Sequence, residues 1–589
     1  MRFLNQFLLH LLAQDVYDYI VVGSGPGGGP LASNLARANY SVLLIEAGDF
    51  ATQGDSGDWP PQITWDFFVK HYADEKRNMM HNHLVWKTSE GRYWVGAGNS
   101  TPPAQSQFLG VYYPRGATVG GSSMINAMCT WLPADSDWNY IHNLTGDASW
   151  SAENMRKIFQ RIEKNHYLPN GTTGHGFNGY FETNMEKPTN VTQPVLGVIQ
   201  AIAQNFSMST AQTDITAMMG SDANFLDPQR DWTTGIWGLP RHRKADGSRY
   251  SSRDYIQDTI SAGFPLTLRT NSLATKVLFS NASNASVCGT QPRATALQYL
   301  AGKSLYRADA RYSPSSAKGV SKTATARKEI VLSGGAFNTP QLLMLSGIGP
   351  AAHLSSLSIP LLVDSPGVGA NLQDNQEMPI IGHATLAEGE EDTGEASQPI
   401  IHATTSFSPD GERDIFTFQG RFAFRGFWPS NQSNAALPVD PPDRVYGISM
   451  VKGKPQNTKG YVRLASADPQ DVPEINFMLY EEGAETDLGA LKETIAWGRR
   501  MYAAAKGVTV QAVEPPCTKG VDEQGGCGSE DEEWIVGQTF GHHPTSTAAI
   551  GKDGDSAAVL DGRFRVRGVK GLRVVDASVF PKIPGVFPV

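Results

Sequence analysis

The residues with the clearest chemical potential open the folded part of the chain. Gly23-Ser24-Gly25-Pro26-Gly27-Gly28 follows a short apolar run, Tyr19 to Val22, and precedes Leu31, Ala32, Leu35 and Ala36 at helical spacing. A second apolar run, Val42 to Ile45, ends in Glu46 and Ala47. In that order the pieces can hold the pyrophosphate of a dinucleotide. Gly23 permits a tight turn, Gly25 lets the backbone approach the phosphates, and Gly28 lets helix and strand pack closely. The helix N-terminus adds free N–H groups and a partial positive charge, and Glu46 stands where an acid accepts ribose hydroxyls. A glycine triplet alone is a weak signal; strand, loop, helix, strand and acid within about 30 residues are a specific one. A second cluster, Gly120-Gly121-Ser122-Ser123, joins close backbone approach to hydroxyl donors. Near the other end, Gly541-His542-His543-Pro544 offers two imidazoles, whose ordinary pKa suits proton transfer near neutral pH. Adjacent side chains on an extended chain point to opposite faces, so one of the two is expected to face away from any shared site.

The elements that must position these residues read as α/β. Residues 266–280 have the β-branched content of two strands with a turn, and residues 326–350 read as a strand, a glycine turn and a helix that stops at Gly349-Pro350. Residues 571–581 read as a buried strand ending in Asp576. These three blocks are expected to share one sheet with the N-terminal unit. Between them lie a helix over 150–161 capped by Ser151, alternating strand patterns over 414–427 and 445–452, one strand and a Pro-rich turn over 459–480, and a long helix over 485–506. That order predicts a second sheet domain interleaved with the first. Residues 313–325 and 387–396 read as exposed loops.

Composition narrows the function. A chain of 589 residues that is 40% hydrophobic exceeds one ordinary core, so two domains are expected. Its net charge of −9 argues against nucleic acid as the main partner, and no run of about 18 apolar residues predicts a membrane span. Residues 1–14, with Arg2 and a broken apolar stretch from Phe3 to Ala13, read as a secretion signal. N-x-S/T sequons at Asn99, Asn143, Asn170, Asn190, Asn205, Asn281, Asn284 and Asn431 agree with passage through secretory compartments. Asn39 also fits but lies inside the dinucleotide unit and is expected to stay unmodified. Glycans on several faces favour a monomer. Cys517 and Cys527 bracket a polar loop that a disulfide could close; Cys129 sits in an apolar motif and Cys288 in a polar loop. No Cys/His spacing points to a metal.

Taken together, the motifs resemble the glucose-methanol-choline (GMC) family of flavin oxidoreductases along residues 15–581. The likeness is carried by the dinucleotide unit, by YPRGATVGGSSMINAMCTW from Tyr113, by SGGAFNTPQLLMLSGIGP from Ser333, by DSPGVGANLQDN from Asp364, and by HHPTST followed by FRVRGVKGLRVVDASVFP. Within the family the chain looks closest to fungal members associated with secondary metabolism, such as patulin synthase. The resemblance implies an FAD-binding Rossmann-like domain (residues 15–150, 240–365 and 540–589) interleaved with an α+β substrate domain on an antiparallel sheet (151–239 and 366–539). It implies FAD held by Gly23, Ser24, Gly25, Gly28, Glu46, Ala47, Thr118, Gly121, Ser122, Asn126, Ala127, Met128, Cys129, Val277, Asp576 and Ala577, with the Val277 backbone meeting the adenine. Some members bind flavin covalently through a His just before this Asn; here Ile125 stands there, so non-covalent FAD is expected. His543 matches the family's catalytic base, so His542 is the one expected to face away, as a structural or at most secondary residue. The implied reaction oxidises a small-molecule alcohol by hydride transfer to the flavin, with oxygen or a quinone-like molecule as electron acceptor.

The chain departs from the family pattern in two places. The family's second His or Asn corresponds to Phe587, and no His or Asn follows Asp576. The sequence also stops at Val589, before the family's closing helix, which predicts a truncated product with weakened FAD binding. Two other outcomes therefore stay open: a non-redox cyclase or dehydratase with structural flavin, as in versicolorin B synthase, or an inactive homologue. Tyr112, Trp131, Phe422, Phe424, Phe427 and Trp428 are candidates for an aromatic substrate pocket or for core.

Overall fold

A computed structural model describes residues 15–50, 63–280, 291–315, 318–390, 398–434 and 438–587. Cys288, Asn281, Asn284, most of the loop read over 387–396 and the N-terminal stretch read as a secretion signal lie outside these residues. Two sheets carry the fold. The first is built on Val16–Val22, whose Ile20, Val21 and Val22 are buried, as a parallel strand covered on both faces requires. Val42–Ile45 pairs in parallel on one side and Val320–Leu332 on the other; Leu266–Arg269 lies outside Val42–Ile45. Val320–Leu332 serves two further neighbours. Its first half pairs antiparallel with Arg293–Ala301, itself paired with Ser272–Ser280, and its last three residues run parallel to Leu572–Val574. Ala32 and Ala36 of helix Gly28–Arg37 pack on Val21, Val42 and Leu44. The three sequence blocks thus join the N-terminal unit in one sheet.

Several local expectations need correction. The two strands in residues 266–280 do not form a hairpin; they stand at opposite edges of the sheet. Residues 320–325 are strand rather than loop. Their polar character reflects that Ser321, Lys322 and Thr323 project into solvent before burial resumes at Ala324. Residues 459–480 hold two short strands, Tyr461–Arg463 and Glu474–Asn476, paired antiparallel. In residues 414–427 only Ile415–Gly420 is strand. Asn39, just past the end of helix Gly28–Arg37, is exposed. Cys517 and Cys527 are joined by a disulfide, as their spacing allows.

The second sheet is antiparallel, in the order Val508–Glu514, Gln376–Leu386, Val445–Lys452, Ile415–Gly420, Ile400–Ala403, Gly235–Trp237. Val445–Lys452 is buried at every residue instead of alternating. Tyr446, Ile448 and Met450 join the core with Leu491 and Ile495 of helix Ala484–Ala503, while Val451 enters a second cluster with Trp131, Phe416 and Phe587. A four-stranded sheet that the sequence patterns did not reveal (Thr64–Val69, Gln107–Gly116, Leu84–Lys87, Tyr93–Gly96) supplies Tyr113 and Arg115. Among the described residues no helix is long and apolar enough to cross a membrane.

A buried ion pair fixes the end of the antiparallel sheet. Lys452 Nζ lies 2.8 Å from Asp414 Oδ2, with both side chains fully buried. Asp414 also accepts hydrogen bonds from the Thr405 backbone and hydroxyl at 2.8 and 2.7 Å. The Lys452 carbonyl accepts from Asn375 Nδ2 at 3.2 Å, so the pair anchors the segment that carries Asp374. Removing one partner strands the other charge in the core. Asp414→Ala is expected to cost about 3–5 kcal/mol in denaturant unfolding, whereas the apolar pair Asp414→Leu/Lys452→Met costs less than the single change. Parent-like stability of Asp414→Ala would refute the assignment.

Candidate active site

A cavity of about 980 Å³ lies where the C-terminal ends of the parallel strands meet the antiparallel sheet. Such crevices at the reversal point of an open parallel sheet are where ligands bind. Gly23 turns the chain there with φ +98°, and a Cβ would stand 2.2 Å from the Ser333 carbonyl oxygen. A Cβ on Gly25 would meet only Gly121 Cα, at 3.9 Å, so the loop leaves open space on the cavity side. Gly28 is set back from the wall and packs against Gly23 and Ser333, the helix–strand contact expected of it. Ser24 ties the glycine clusters together: its hydroxyl donates to Glu46 Oε2 at 2.6 Å and accepts from Gly120 N at 3.1 Å. Burial pushes the Glu46 carboxyl above its ordinary range, against hydrogen bonds from Ser24 and Gly48.

Most of the predicted cofactor residues converge on this wall: Gly23, Ser24, Gly25, Glu46, Ala47, Gly121, Ser122, Asn126, Ala127, Met128, Cys129, Asp576 and Ala577. Three of them have different tasks from those expected. Thr118 lies off the wall; its hydroxyl donates to the Asp49 carbonyl at 2.7 Å and its own carbonyl closes the turn to Gly121 N at 2.8 Å. Val277 is also off the wall, with its N–H donated to Ser346 Oγ at 2.9 Å. A register shift between Ala274 and Lys276 carries it into the core, and Ser272, Leu273 and Ala274 line the cavity instead. The Asp576 carboxylate is already engaged, accepting from Gly335 N (2.9 Å), Thr339 Oγ1 (2.6 Å) and Ser578 N (2.8 Å). Asn126 Oδ1 accepts from Arg249 Nη1 at 2.8 Å, and burial pushes the Cys129 thiol up to about 11, which keeps it a thiol.

Both imidazoles face the cavity, contrary to the expectation that His542 turns away. Residues 540–545 pair antiparallel with residues 373–377 through the bridges Glu377–Phe540 and Gln373–Thr545. The interval between the bridges is one residue longer on the histidine side, a bulge that breaks the alternation of an extended chain. The ring centroids of His542 and His543 are 3.9 Å apart. Asp374 Oδ1 accepts the His543 N–H at 2.8 Å, Asp374 Oδ2 accepts the Tyr113 hydroxyl at 2.6 Å, and Arg115 Nη1 donates to the His542 carbonyl at 2.6 Å. Gly541 is required beside this carboxylate, because a Cβ there would lie 2.1 Å from Asp374 Oδ2. Phe587 stacks on His543 at 4.0 Å and 23°. The position of the expected second partner is therefore at the site, but it holds an apolar ring.

Sequence reasoning missed Glu377. Its Oε2 lies 3.2 Å from His542 Nδ1, at ion-pair distance, although neither atom forms an aligned hydrogen bond. Ser449 Oγ donates to Glu377 Oε1 at 3.3 Å. One signal was available: a lone acid opening the apolar run Met378-Pro379-Ile380-Ile381. Burial, with Asp374 nearby, pushes Glu377 up to about 8, and burial pushes Asp374 up to about 7. Burial and the Arg115 cation push His542 down to about 3; burial, His542 and Arg115 hold His543 well below the ordinary imidazole range. Both rings are neutral at pH 7 and able to accept a proton. The cavity's open glycine cradle, reaching from the parallel strand ends to two neutral imidazoles, fits a dinucleotide with a redox ring at its far end.

Comparison with known proteins agrees. The GMC oxidoreductase family matches residues 44–377 and residues 455–589. An oxygen-dependent choline dehydrogenase of Yersinia pseudotuberculosis is 28% identical, over 96% of this chain and 90% of that one. The Pseudomonas fluorescens enzyme of the same name is also 28% identical, over 97% and 90%. Among solved structures, pyridoxine 4-oxidase from Mesorbium loti has a TM-score of 0.68 at 22% identity, covering 97% of this chain and 95% of that one. A fungal aryl-alcohol oxidase has a TM-score of 0.68 at 18% identity, covering 98% and 96%. The chain belongs to the GMC oxidoreductase family: it is an FAD-dependent oxidoreductase acting on CH–OH donors.

The raised Glu377 pKa has a consequence for stability. Between its ordinary value of 4.5 and about 8 the folded state holds a proton that the unfolded chain has lost, so rising pH costs stability across that window. Glu377→Gln stays neutral. Its melting temperature relative to the parent is expected to climb as pH rises from 6 to 9; a relative fall would contradict the buried, raised carboxyl.

Proposed function

We propose that this GMC oxidoreductase converts a primary alcohol on a small aryl or polyketide-like molecule to the aldehyde, with His543 as general base. The observation that carries the reading is the meeting of the glycine cradle and the His542–His543 pair on one cavity wall. FAD, when bound, supplies the acceptor for the hydride. The chain's own residues do the rest. The Asp374 carboxylate fixes the His543 backbone, the neutral imidazole takes the hydroxyl proton, and the aromatic rings exclude water around it. Phe427 meets His542 edge-on at 5.2 Å. Phe418 and Trp131 both approach Phe587 at 5.7 Å. With Phe422 and Phe424 they give the wall an aromatic surface, complementary to a flat apolar substrate. Tyr112 and Trp428 lie off this wall; the Tyr112 hydroxyl bonds Asp66 at 2.8 Å and Trp428 packs near His83.

FAD is held without a covalent bond in this reading, since Ile125 faces the cavity where a covalent link would need a nucleophile. Oxygen is the favoured electron acceptor, because relatives carry oxygen-dependent and oxidase names. Secondary metabolism remains part of the proposal on the sequence likeness alone. The seven sequon asparagines among the described residues, Asn39 included, are all exposed, which supports glycosylation during secretion. Deglycosylation of the protein from a eukaryotic host should then lower its apparent mass.

Mixing the yellow holoenzyme anaerobically with a benzylic alcohol is expected to bleach the oxidised-flavin absorption faster than choline does, and denaturation should release the flavin into solution. His543→Ala should slow bleaching by about 10²–10⁴ while flavin content is kept. Product formation without bleaching would favour cyclase or dehydratase chemistry and sink this proposal.

A further inference from the structure

The oxidation proposed above, on which this inference rests, delivers a proton to a poor resting place. His543 lies against the apolar ring of Phe587, and both imidazoles sit beside the Arg115 cation. An imidazolium there adds positive charge to a buried site, which is expensive unless an anion is close. Asp374 is the nearer acid by backbone contact, but its two oxygens already accept from His543 N and Tyr113. Glu377 is different. It keeps 2% of its side-chain exposure, its Oε2 is 3.2 Å from His542 Nδ1, and it lines the same cavity. His542 Nδ1, His543 Nδ1 and Glu377 Oε2 are all buried without a formed hydrogen bond. Among the described residues this is also where three ligating-type side chains converge, within 4.8 Å of one another. Buried polar atoms left unpaired cost free energy, and three together mark a place prepared for an added proton.

We propose that Glu377 holds the proton released by alcohol oxidation, receiving it through the His543–His542 pair. The alcohol O–H bond breaks as an N–H bond forms on His543. With FAD bound, the electron pair of the C–H bond would leave with its hydrogen as hydride to the flavin, and the C=O bond would close. The proton passes by way of His542 to the Glu377 carboxylate. Both imidazoles return to neutrality, and no lasting positive charge is added beside Arg115. Glu377 is a positioning and proton-holding residue; His543 is the group that meets substrate. The groups facing Glu377 are His542 and His543 on the bulged segment, Asp374 on its own segment, Ser449 on the paired strand, Tyr113 across the site, and Cys129 on the wall. Burial and the Asp374 charge, against the Ser449 hydrogen bond, push the Glu377 carboxyl up to about 8. It can accept a proton only when ionised, so the chemical step should accelerate as pH rises through that value.

The test is anaerobic single-turnover flavin reduction by a benzylic alcohol on either side of pH 8, using holoenzyme of the parent, Glu377→Gln, Glu377→Asp and His543→Ala. Infrared difference titration of the same proteins without substrate supplies a readout independent of turnover. The expected parent rate rises with an apparent pKa near 8. Glu377→Gln should flatten that rise and slow reduction by about 10²-fold, and Glu377→Asp should recover part of the rate with a displaced pH profile. The protonated-carboxyl band that titrates near 8 in the parent should be missing from Glu377→Gln, while the Asp374 band, titrating near 7, stays. If Glu377→Gln keeps the parental rate and profile while His543→Ala abolishes reduction, the proton-holding role is wrong and the base assignment survives. If His543→Ala reduces as fast as the parent, the base assignment itself falls. A parent whose titrating band is unchanged in Glu377→Gln would also overturn the inference, even if that variant had lost flavin.

Discussion

The histidine end of the cavity is shaped by one extra residue. Between the Glu377–Phe540 and Gln373–Thr545 bridges, the histidine-bearing segment is one residue longer than its partner. Without that bulge, the alternation of an extended chain would turn one imidazole into the core. With it, two neutral rings 3.9 Å apart look into one cavity, and the Asp374 carboxylate can reach the His543 backbone. Gly541 makes the geometry possible because no side chain fits beside that carboxylate. The buried Lys452–Asp414 pair holds the sheet end to which Asn375 is tied, so the position of the bulge is set from deep inside the fold.

The two ends of the cavity solve opposite electrostatic problems. At the glycine end, backbone N–H groups and a helix terminus are arranged to meet phosphate charge, which is why open space and small residues matter more there than side-chain acids. Glu46 and Asp576 illustrate this. Both are pushed up by burial, and both spend their oxygens on protein donors, joining loops to strands. At the histidine end no phosphate is available to balance charge. The site instead combines one cation, Arg115, with two acids held near neutrality and two imidazoles held unprotonated. Small changes in protonation there are costly in a medium that screens poorly, and that cost makes the placement of each acid consequential.

Much of the fold was legible because it is written in short-range constraints. The run from Tyr19 to Glu46 combines backbone sterics, helix period and a buried parallel strand, each of which needs only neighbouring residues. The segments around Ser333 and Asp576 could be read in the same way, and all three met in one sheet. Val277 and Thr118 were misplaced for a different reason. A register shift after Ala274 and a hydrogen bond to the Asp49 carbonyl decide which residues reach the wall, and neither leaves a mark in local composition. Phe587 was located by its distance from Asp576 and did arrive at the site. The four-stranded sheet that delivers Tyr113 and Arg115 went unread: Gln107–Gly116 mixes buried and exposed residues without strict alternation, and its partner Thr64–Val69 lies about forty residues away in sequence.

From the amino-acid sequence alone came a cofactor-binding α/β chain, its family likeness, and His543 as the candidate base. These rest on glycine sterics, residue periodicity and the intrinsic acidity of imidazole, which any fold must respect. Only the tertiary structure decided that both histidines face the cavity, that Asp374 is occupied by Tyr113, and that Glu377 stands within reach of His542. Those facts come from strand pairing across more than a hundred residues and from burial, which sets the charge of each group through surroundings that no local stretch of sequence contains.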